Sequence, residues 1–440
     1  MNSMFRANKY KELLMQIDPV RYNGKVVQVI GLMIESEGPD ARIGDVCYIY
    51  PPRSPEPIAA EVVGFRNNRV LLMPLGEIHA IGPGCDVVST GSPLTVPVGT
   101  ELLGQILDGL GRPLNGMPLP SRMKRYSTNN QPQNPLAKQR ITEPLSVGVK
   151  AIDGMLTIGK GQRVGIFAGS GVGKSTLLGM IARNTSADVN VIALIGERGR
   201  EVKDFIERDL GKEGLERSVV VVATSDQPAL IRMKGALIAT TIAEYFRDLG
   251  MNVMMLMDSV TRYATALREV GLAVGEPPAT RGYTPSVFAN LPKLLERSGT
   301  GDKGSITAFY TVLVDGDDMN EPIADAVRGI LDGHIVLDRK LASKGHYPAI
   351  DIMSSVSRLM KEIVSESHLK NAEQLKKYLA VYNESEDLIN IGAYQQGTNP
   401  EIDQSLQHIH AIRSFTAQRI DEKYTFDEAK KLLHEIFSRS

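Results

Sequence analysis

A glycine-rich stretch at residues 168–176 constrains the fold of this chain more than any other feature. It follows residues 163–167, a short and mostly apolar run that is typical of a buried strand. After it, Leu177, Leu178 and Ile181 fall on one face of a predicted helix. A strand, a glycine-rich loop and a helix in this order form the cradle that binds the phosphates of a nucleotide.

The residue types of this loop match the chemistry of phosphate binding. Glycines let backbone N–H groups turn toward the phosphates, Lys174 supplies a positive charge to the β- and γ-phosphates, and the Ser175 hydroxyl can ligate Mg²⁺. One departure is Ala168, which stands where the first loop glycine is usual and affects that one backbone angle. A glycine-rich turn that opens an ordinary helix is the alternative. The predicted phosphate-binding residues are Gly169, Ser170, Gly171, Val172, Gly173, Lys174, Ser175 and Thr176.

The charge balance argues against functions that need a strongly charged chain. Fifty Lys and Arg against 51 Asp and Glu give a net charge of -1, so no global charge favours nucleic acid or an anionic membrane as a partner.

The chain has 440 residues, more than one hydrophobic core usually serves, so two or three domains are expected. Cys47 and Cys85 lie in apolar runs without metal-ligand spacing, which indicates buried free thiols. No run reaches transmembrane length, so we expect a cytosolic protein that reaches a membrane only peripherally.

The N-terminal quarter predicts a short helix and then a small β-barrel. Tyr10, Leu13, Leu14 and Ile17 have helical spacing among basic residues, which predicts an amphipathic helix that docks a partner or packs on its own chain. Beyond it, β-rich runs separated by turn residues predict a closed barrel. Barrels that bind oligonucleotides need exposed aromatics among basic residues, whereas this chain has no Trp, so a structural or oligomer-collar role is expected. The predicted strands are 26–34, 46–50, 60–65, 70–73 and 87–88.

The rest of the chain predicts a parallel sheet followed by helices. Residues 104–140 are expected to form a surface connection, because their later part is polar and rich in Pro and Asn. Apolar runs then alternate with helical runs, the pattern of a sheet covered on both faces. From about Glu366 the residues are charged and helix-periodic; His408 and His410 lie two apart there, so they do not share a face and no metal site is expected. The predicted strands are 189–195, 219–223 and 253–257, and the predicted helices are 201–210 and 229–249.

Polar clusters follow two of these strands at the point where each strand ends. Glu197 and Arg198 come after one strand and Asp258 ends another. In parallel sheets ligands bind at the carboxyl ends of the strands, so we expect both clusters to converge on the glycine-rich loop. Glu197 can orient a water for attack on the γ-phosphorus, with Arg198 near the phosphate oxygens, and Asp258 suits the acid that holds Mg²⁺ through water. Arg262 can pair with these carboxylates or with phosphate; helix capping and solvent-exposed salt bridges are the alternatives for these residues.

Five motifs stand out along the chain: Ala-Gly-Ser-Gly-Val-Gly-Lys-Ser at 168–175, Gly-Glu-Arg-Gly-Arg-Glu-Val at 196–202, Leu-Met-Asp-Ser-Val-Thr-Arg-Tyr at 256–263, Ser-Ile-Thr-Ala-Phe-Tyr-Thr at 305–311 and Gly-His-Tyr-Pro-Ala-Ile-Asp at 345–351. Together they resemble the type III secretion ATPases, the family of the flagellum-specific export ATPases. That family is related to the catalytic and regulatory subunits of rotary ATP synthases. The resemblance covers almost the whole chain and is weakest over residues 1–20 and the last seventy or so.

The resemblance implies a multidomain fold assembled as a ring of six copies. Its β-barrel would occupy residues 21–95, after the amphipathic helix that the residue spacing predicts for residues 1–20. A RecA-like P-loop domain with a largely parallel sheet would span residues 96–365. An α-helical C-terminal domain would span residues 366–440.

The resemblance also implies roles for individual residues. Lys174 and Ser175 would be the phosphate and Mg²⁺ ligands, Glu197 the catalytic carboxylate and Asp258 the acid on the metal side. Two further roles rest on the resemblance alone, because an aromatic before proline and an arginine opening a helix are usually structural. Tyr347 matches a tyrosine that stacks on adenine, and Arg358 matches an arginine that reaches into the neighbouring subunit's site.

The function implied by the resemblance is Mg²⁺-dependent ATP hydrolysis that drives or primes protein export at a bacterial flagellar base, with release or unfolding of chaperone-bound substrates. The implied partners are further copies of the chain in a homohexamer, a stator-like regulatory protein at the N-terminus and a central-stalk-like coiled-coil protein. The resemblance also implies an export gate and chaperone–substrate complexes as partners. The implied location is cytoplasmic and peripheral, at the flagellar export apparatus.

Four other functions share parts of this pattern. The ATPase of a virulence injectisome has nearly all the motifs, although residues 275–283 look more like the flagellar branch. A non-catalytic nucleotide-binding ring subunit would lack the carboxylate of Glu197. A hexameric RNA translocase would need a basic, aromatic-bearing barrel. An ATP synthase catalytic subunit would carry acids where residues 394–397 of this chain have none.

Overall fold

A computed structural model describes residues 22–438, apart from positions 53, 55, 79, 315 and 317. The chain divides between Leu94 and Thr95 into two compact units. The amphipathic helix predicted for the first twenty residues lies outside the described residues and stays a prediction. So does the division of the second unit between residues 365 and 366.

The first unit is a closed β-barrel, as predicted. Its strands alternate between an apolar interior and an exterior face: in β3, Cys47 and Ile49 are fully buried whereas Tyr48 and Tyr50 are exposed. The prediction of one strand over residues 26–34 is wrong, because Gly31 takes a left-handed φ of 57° and turns the chain between two strands. The barrel strands are β1 (Gly24–Ile30), β2 (Met33–Glu37), β3 (Asp45–Tyr50), β4 (Ile58–Arg66), β5 (Arg69–Pro74) and β6 (Asp86–Pro93), in the order β1-β2-β5-β4-β3-β6.

The second unit is built on a largely parallel sheet. Its strands run in the order β19-β18-β12-β17-β15-β13-β14-β8, with only β19 and the short β16 antiparallel within the described part of the chain. Every residue of β13 is buried, as expected when helices cover both faces of a sheet. The strands are β8 (Ile106–Asp108), β12 (Arg163–Ala168), β13 (Val189–Ile195), β14 (Ser218–Ala223), β15 (Asn252–Asp258), β16 (Gly299–Thr300), β17 (Ser305–Leu313), β18 (Gly333–Leu337) and β19 (Ile350–Ser357). Two small ribbons pair β7 (Thr95–Val98) with β9 (Lys124–Ser127) and β10 (Pro144–Leu145) with β11 (Ile158–Gly159).

Helices cover this sheet and continue beyond it. The predicted helix over residues 201–210 is α3 followed by a π-helical turn over Phe205–Leu210. No helix in the described ranges is long and apolar enough to cross a membrane. The helices are α1 (Lys150–Met155), α2 (Lys174–Asn184), α3 (Gly199–Asp204), α4 (Gly211–Glu216), α5 (Ala229–Asp248), α6 (Val260–Val274), α7 (Pro285–Leu295), α8 (Pro322–Ile330), α9 (Arg339–Ser343), α10 (Met360–Ile363), α11 (Glu366–Asn390), α12 (Pro400–Thr416) and α13 (Phe426–Ser438).

The C-terminal helices share a hydrophobic core with the sheet. Leu375 of α11, Ile412 and Phe415 of α12 and Leu433 of α13 belong to the same buried cluster as the sheet residues. Phe415 packs so tightly on α1 that a Cβ added at Gly154 would lie 2.6 Å from its ring. The end of α12 is therefore held directly against α1.

The prediction of residues 104–140 as a surface connection is wrong in two places. Ile106–Asp108 forms the edge strand β8, and Leu107 is fully buried. Thr128 is also buried, and its carbonyl accepts a hydrogen bond of 3.0 Å from Arg297. A three-residue strand carries too little pattern to be recognised, and its pairing depends on the unpaired edge of β14.

Arg297 and Glu244 form a buried ion pair that fastens this connection to α5. Arg297 donates hydrogen bonds of 2.8 and 2.7 Å to the Glu244 carboxylate, and Asn130 donates another of 2.8 Å. The two charged side chains are 2% and 5% exposed. A buried charge that loses its partner destabilises a protein far more than an exposed one does.

Glu244→Gln should therefore lower the stability of the second unit by about 3–5 kcal/mol, since it leaves the Arg297 charge buried and uncompensated. Thermal unfolding followed by circular dichroism measures this loss. Glu366→Gln is the matched control, because Glu366 pairs with Lys370 at 2.8 Å but is 80% exposed. Equal melting temperatures for the two variants would contradict the structural role of the buried pair.

Candidate functional site

The glycine-rich loop connects β12 to α2, in the predicted order of strand, loop and helix. Gly171 and Gly173 have φ values of 80° and 88°, a left-handed conformation that glycine adopts without strain. Val172 is 1% exposed and anchors the loop in the core, whereas Ser170 and Ser175 are exposed. The first N–H groups of a helix have no acceptor within the helix, and the helix dipole adds positive potential there, so the start of α2 is suited to bind an anion.

Three charged side chains meet beside this loop. Lys174 Nζ donates a hydrogen bond of 2.5 Å to Asp258 Oδ1 and lies 3.5 Å from Glu197 Oε1. Lys174, Glu197 and Asp258 are 12%, 15% and 5% exposed. Lys174 begins α2, Glu197 follows β13 and Asp258 ends β15, so parallel strands bring them together at one edge of the sheet.

Burial and like charge give the two acids of this cluster an unequal environment. Burial, with the nearby Asp258 carboxylate, raises the pKa of Glu197 to about 7 although Lys174 opposes the shift. Burial by itself would lower the pKa of Lys174, but Asp258 and Glu197 outweigh it and raise that pKa. Near neutral pH the cluster therefore holds a charged lysine and a Glu197 carboxyl that is poised between its two protonation states.

Thr311 is a site residue that sequence reasoning missed. Its side chain is fully buried in β17, and its hydroxyl donates a hydrogen bond of 2.7 Å to Asp258 Oδ1. Oδ1 thus accepts from both Thr311 and Lys174, which fixes the carboxylate and leaves Oδ2 without a hydrogen bond from any described residue. The available signal was a hydroxyl near the carboxyl end of a buried strand, where ligands of parallel sheets bind.

The two arginines predicted near the phosphates are placed differently. Arg262 is exposed, and its guanidinium has no hydrogen bond or ion pair with a described residue. Its stem packs over Gly196, where an added Cβ would lie 2.8 Å from the Arg262 Cβ, so the arginine lies next to the strand end that carries Glu197. Arg198 is 79% exposed and pairs with Glu201 at 3.0 Å, outside the lysine–carboxylate cluster.

Tyr347 lies against the phosphate loop at Gly173, the residue before Lys174. A Cβ built on Gly173 would be 3.4 Å from the Tyr347 ring, so the ring lies against the loop backbone. The ring also lines a cavity of about 930 Å³ that reaches Gly171 and Thr176. The structure therefore brings Tyr347 to the phosphate loop, 45% exposed and with one side facing a large cavity.

Arg358 is not part of this cluster in its own chain. It follows β19, and its N–H donates a hydrogen bond of 3.1 Å to the Asp332 carbonyl. The Asp332 carboxylate accepts from Arg163 at 3.0 Å, at the start of β12. The phosphate loop follows the other end of β12, and five residues at about 3.3 Å each separate these ends by roughly 17 Å. Arg358 is exposed there.

Family comparisons match most of the chain. Residues 148–357 match the ATP synthase alpha/beta family, nucleotide-binding domain. Residues 26–91 match the β-barrel domain of the same family. Residues 364–435 match the T3SS EscN ATPase C-terminal domain.

Individual relatives are similar over almost their whole length. The "Flagellum-specific ATP synthase" of Bacillus subtilis is 60% identical over 413 residues, which is 94% of each chain. The "Type 3 secretion system ATPase" of Xanthomonas euvesicatoria is 49% identical over 416 residues, again 94% of each chain. Among solved structures, the assembled ATPase EscN in complex with its central stalk EscO, from enteropathogenic E. coli, has a TM-score of 0.87 and 47% identity and covers 94% of this chain and 99% of that one.

The raised pKa of Glu197 predicts how the stability of the nucleotide-free protein depends on pH. The folded state keeps a proton on Glu197 up to about pH 7, whereas an unfolded Glu loses it near 4.5. The native state binds more protons in this interval, so the contribution of Glu197 to stability falls as the pH rises through 7. Gln cannot ionise, and we therefore expect Glu197→Gln to melt several degrees above the wild type at pH 8 and close to it at pH 4.5.

Thermal unfolding without nucleotide at pH 4.5, 6 and 8 measures this difference. Glu207→Gln is the control, because Glu207 lies nearby in sequence but is 63% exposed. A wild type that is at least as stable as Glu197→Gln at pH 8 would show that the carboxylate is not destabilised in this cluster.

Proposed function

Because the chain belongs to the ATP synthase alpha/beta family, in its type III secretion branch, we propose that it hydrolyses Mg·ATP to energise or prime flagellar protein export. The cluster of Lys174, Asp258 and Glu197 beside the phosphate loop carries this proposal. A protein that only binds nucleotide needs the loop and the lysine. Hydrolysis also needs a group that orients the attacking water, and Glu197 supplies it.

Phosphate binding rests on the loop and on Lys174. The N–H groups at the start of α2 and the left-handed glycines provide donors for phosphate oxygens. Lys174 is held by two carboxylates, and the phosphates of a nucleotide compete with them for its charge. The Arg262 guanidinium lies beside Gly196 without a partner among the residues that the structure describes, so it is well placed to add charge at the phosphates. Arg198 is drawn to Glu201, so its predicted role has less support.

Glu197 is suited to act on the attacking water. A group that accepts a proton near neutral pH works best when its pKa lies near that pH, and the pKa of Glu197 is raised to about 7. Its side chain is 15% exposed, so its carboxylate is only partly screened by solvent. We assign Glu197 the role of orienting water and accepting its proton.

The residues at the loop fit a magnesium ion. The exposed Ser175 hydroxyl and the Asp258 carboxylate are hard oxygen donors, and Asp258 would act through water. No group of three or more His, Cys, Asp or Glu that could hold a metal occurs among residues that the structure describes. Such a sparse donor set is typical of Mg²⁺ sites that are completed by nucleotide phosphates. The ion would neutralise charge that develops on the phosphates.

Arg358 is assigned to the site of a neighbouring copy. Arg358 lies near the amino ends of the parallel strands, whereas its own phosphate loop follows their carboxyl ends. It therefore cannot reach the phosphates that its own Lys174 binds. An arginine supplied in trans can contribute roughly 10³ to 10⁵ in rate. The EscN relative is described as an assembled ATPase with a central stalk. We accordingly propose a homohexameric ring with a stalk partner.

The flagellar system is favoured over the injectisome by the greater similarity to the flagellum-specific relative, 60% against 49%. The presence of Glu197 favours an enzyme over a non-catalytic ring subunit. A stator-like partner at the N-terminus, the export gate, chaperone–substrate complexes and a peripheral cytoplasmic location stay predictions.

Glu197→Gln should bind Mg·ATP and hydrolyse it at least a hundredfold more slowly, because the amide keeps the shape but cannot accept the proton of the water. Nucleotide affinity by calorimetry and phosphate release in single turnover measure the two effects separately. Glu213→Gln is an exposed control on α4 that should keep the wild-type rate. Lost affinity with unchanged turnover would make Glu197 a binding residue instead.

Mixing two inactive variants tests the assignment of Arg358 in trans. Glu197→Gln and Arg358→Ala should each be slow alone, but mixed rings contain interfaces where an intact Glu197 meets an intact Arg358, and these should recover hydrolysis. Rings of Glu197→Gln and Lys174→Ala are the matched control and should not recover, because Lys174 and Glu197 belong to the same chain's site. Absence of recovery in rings verified by native mass spectrometry would contradict the trans arrangement.

A further inference from the structure

A cavity of about 930 Å³ adjoins the phosphate loop, and one of its walls comes from the far end of the chain. The loop side is formed by Gly171, Gly173 and Thr176, and Tyr347 lies next to them. The opposite wall is the segment 417–422, which follows α12. Cavities of this size hold small organic ligands, and this one opens on the phosphate loop.

Gln418 joins three parts of this cavity. Its side-chain Oε1 accepts a hydrogen bond of 2.8 Å from the N–H of Lys150, which begins α1. Its Nε2 donates bonds of 2.9 Å to the Gly148 carbonyl and 3.1 Å to the Glu422 carbonyl. Its backbone N–H donates a bond of 2.9 Å to the Tyr347 carbonyl. Gln418 is 5% exposed, so these bonds are shielded from water.

A second anchor ties the same wall to the phosphate-loop helix. Arg183, in the last turn of α2, donates a hydrogen bond of 3.0 Å from Nη2 to the Ile420 carbonyl. Its Nη1 donates to the Asp209 carbonyl in the π-helical turn. The position of the 417–422 wall is therefore fixed by the helix that begins with Lys174, as well as by the C-terminal helices.

We propose that Gln418 is a positioning residue for the base of the bound nucleotide, an inference that rests on the proposed function. The Tyr347 ring is 45% exposed, so burial alone does not fix its place against Gly173. Gln418 fixes it through the backbone, since it holds the Tyr347 carbonyl and at the same time closes the 417–422 wall on Gly148 and Lys150. The three side-chain bonds of Gln418 fix its backbone, whose N–H holds the Tyr347 carbonyl. Together with the bond from Arg183 to Ile420 they set the width of the slot between Tyr347 and this wall.

A positioning role for the base predicts separate effects on the two ends of the nucleotide. Gln418→Met keeps a similar volume and removes all three side-chain hydrogen bonds. We expect its affinity for ADP to fall about tenfold, a partial loss of base stacking. Its affinity for inorganic pyrophosphate, which has no base, should be unchanged. Titration calorimetry of the full chain with each ligand measures both constants.

Gln407→Met is the matched control, because Gln407 is exposed on α12 and makes none of these bonds; both of its constants should equal those of the wild type. An equal loss of ADP and pyrophosphate affinity in Gln418→Met would assign Gln418 a general structural role and overturn the proposal. An unchanged ADP constant would overturn it as well. A wild type that binds neither ligand would instead overturn the proposed nucleotide function, and this inference with it.

Two further variants keep the test decisive if Gln418→Met does not fold. Gln418→Glu keeps the volume and the acceptor for Lys150 but loses the two donated bonds, and it should weaken ADP and spare pyrophosphate in the same way. Tyr347→Ala combined with either Gln418 variant should lose less ADP affinity than the sum of the single changes, since Gln418 acts through Tyr347. Strictly additive losses of ADP affinity would contradict the inference that Gln418 acts through Tyr347.

Discussion

One lysine shared between two carboxylates is the interaction on which this molecule depends. Lys174 lies 2.5 Å from Asp258 and 3.5 Å from Glu197, in a place that is largely closed to solvent. Burial, with the nearby Asp258 carboxylate, raises the pKa of Glu197 although the Lys174 charge opposes the shift. The cluster thus contributes little to the stability of the fold, but it holds a carboxyl group that is suited to proton transfer. An anion that draws Lys174 toward itself competes with both carboxylates for the same charge.

The surrounding fold holds this cluster in place from several directions. Parallel strands deliver Asp258 and Glu197 to the same edge of the sheet, and Thr311 fixes the orientation of Asp258 from a neighbouring strand. The segment after α12 reaches Tyr347 beside the phosphate loop, since Gln418 donates to the Tyr347 carbonyl and accepts from the N–H of Lys150 at the start of α1. The surroundings of the phosphate loop are therefore assembled from segments that are more than two hundred residues apart, whereas Arg358 lies near the amino ends of the parallel strands, away from the loop.

The sequence-based predictions failed where the structure depends on contacts that leave no local pattern in the sequence. Residues 26–34 are apolar apart from Gln28 and predict one strand, because Gly31, where the chain reverses, is flanked by apolar residues on both sides. The edge strand β8 has three residues, too few for a pattern. Arg198 was expected near the phosphate oxygens and Arg262 near the carboxylates or phosphate, yet Arg198 pairs with Glu201 and Arg262 packs over Gly196. Side-chain direction depends on neighbours that are distant in sequence.

The sequence by itself determined the phosphate loop, the order of barrel, parallel sheet and helices, and the family. These features are local: glycine positions, hydrophobic periodicity and short motifs carry them within ten or twenty residues. Only the tertiary structure decided that Lys174 bridges Asp258 and Glu197, that Thr311 orients Asp258 and that Gln418 links Tyr347 to the C-terminal segment. Those contacts require long-range chain closure, and a glutamine or threonine has no local pattern that announces its partner, because its hydrogen bonds are chosen by whichever backbone or side chain the packed core brings within about 3 Å.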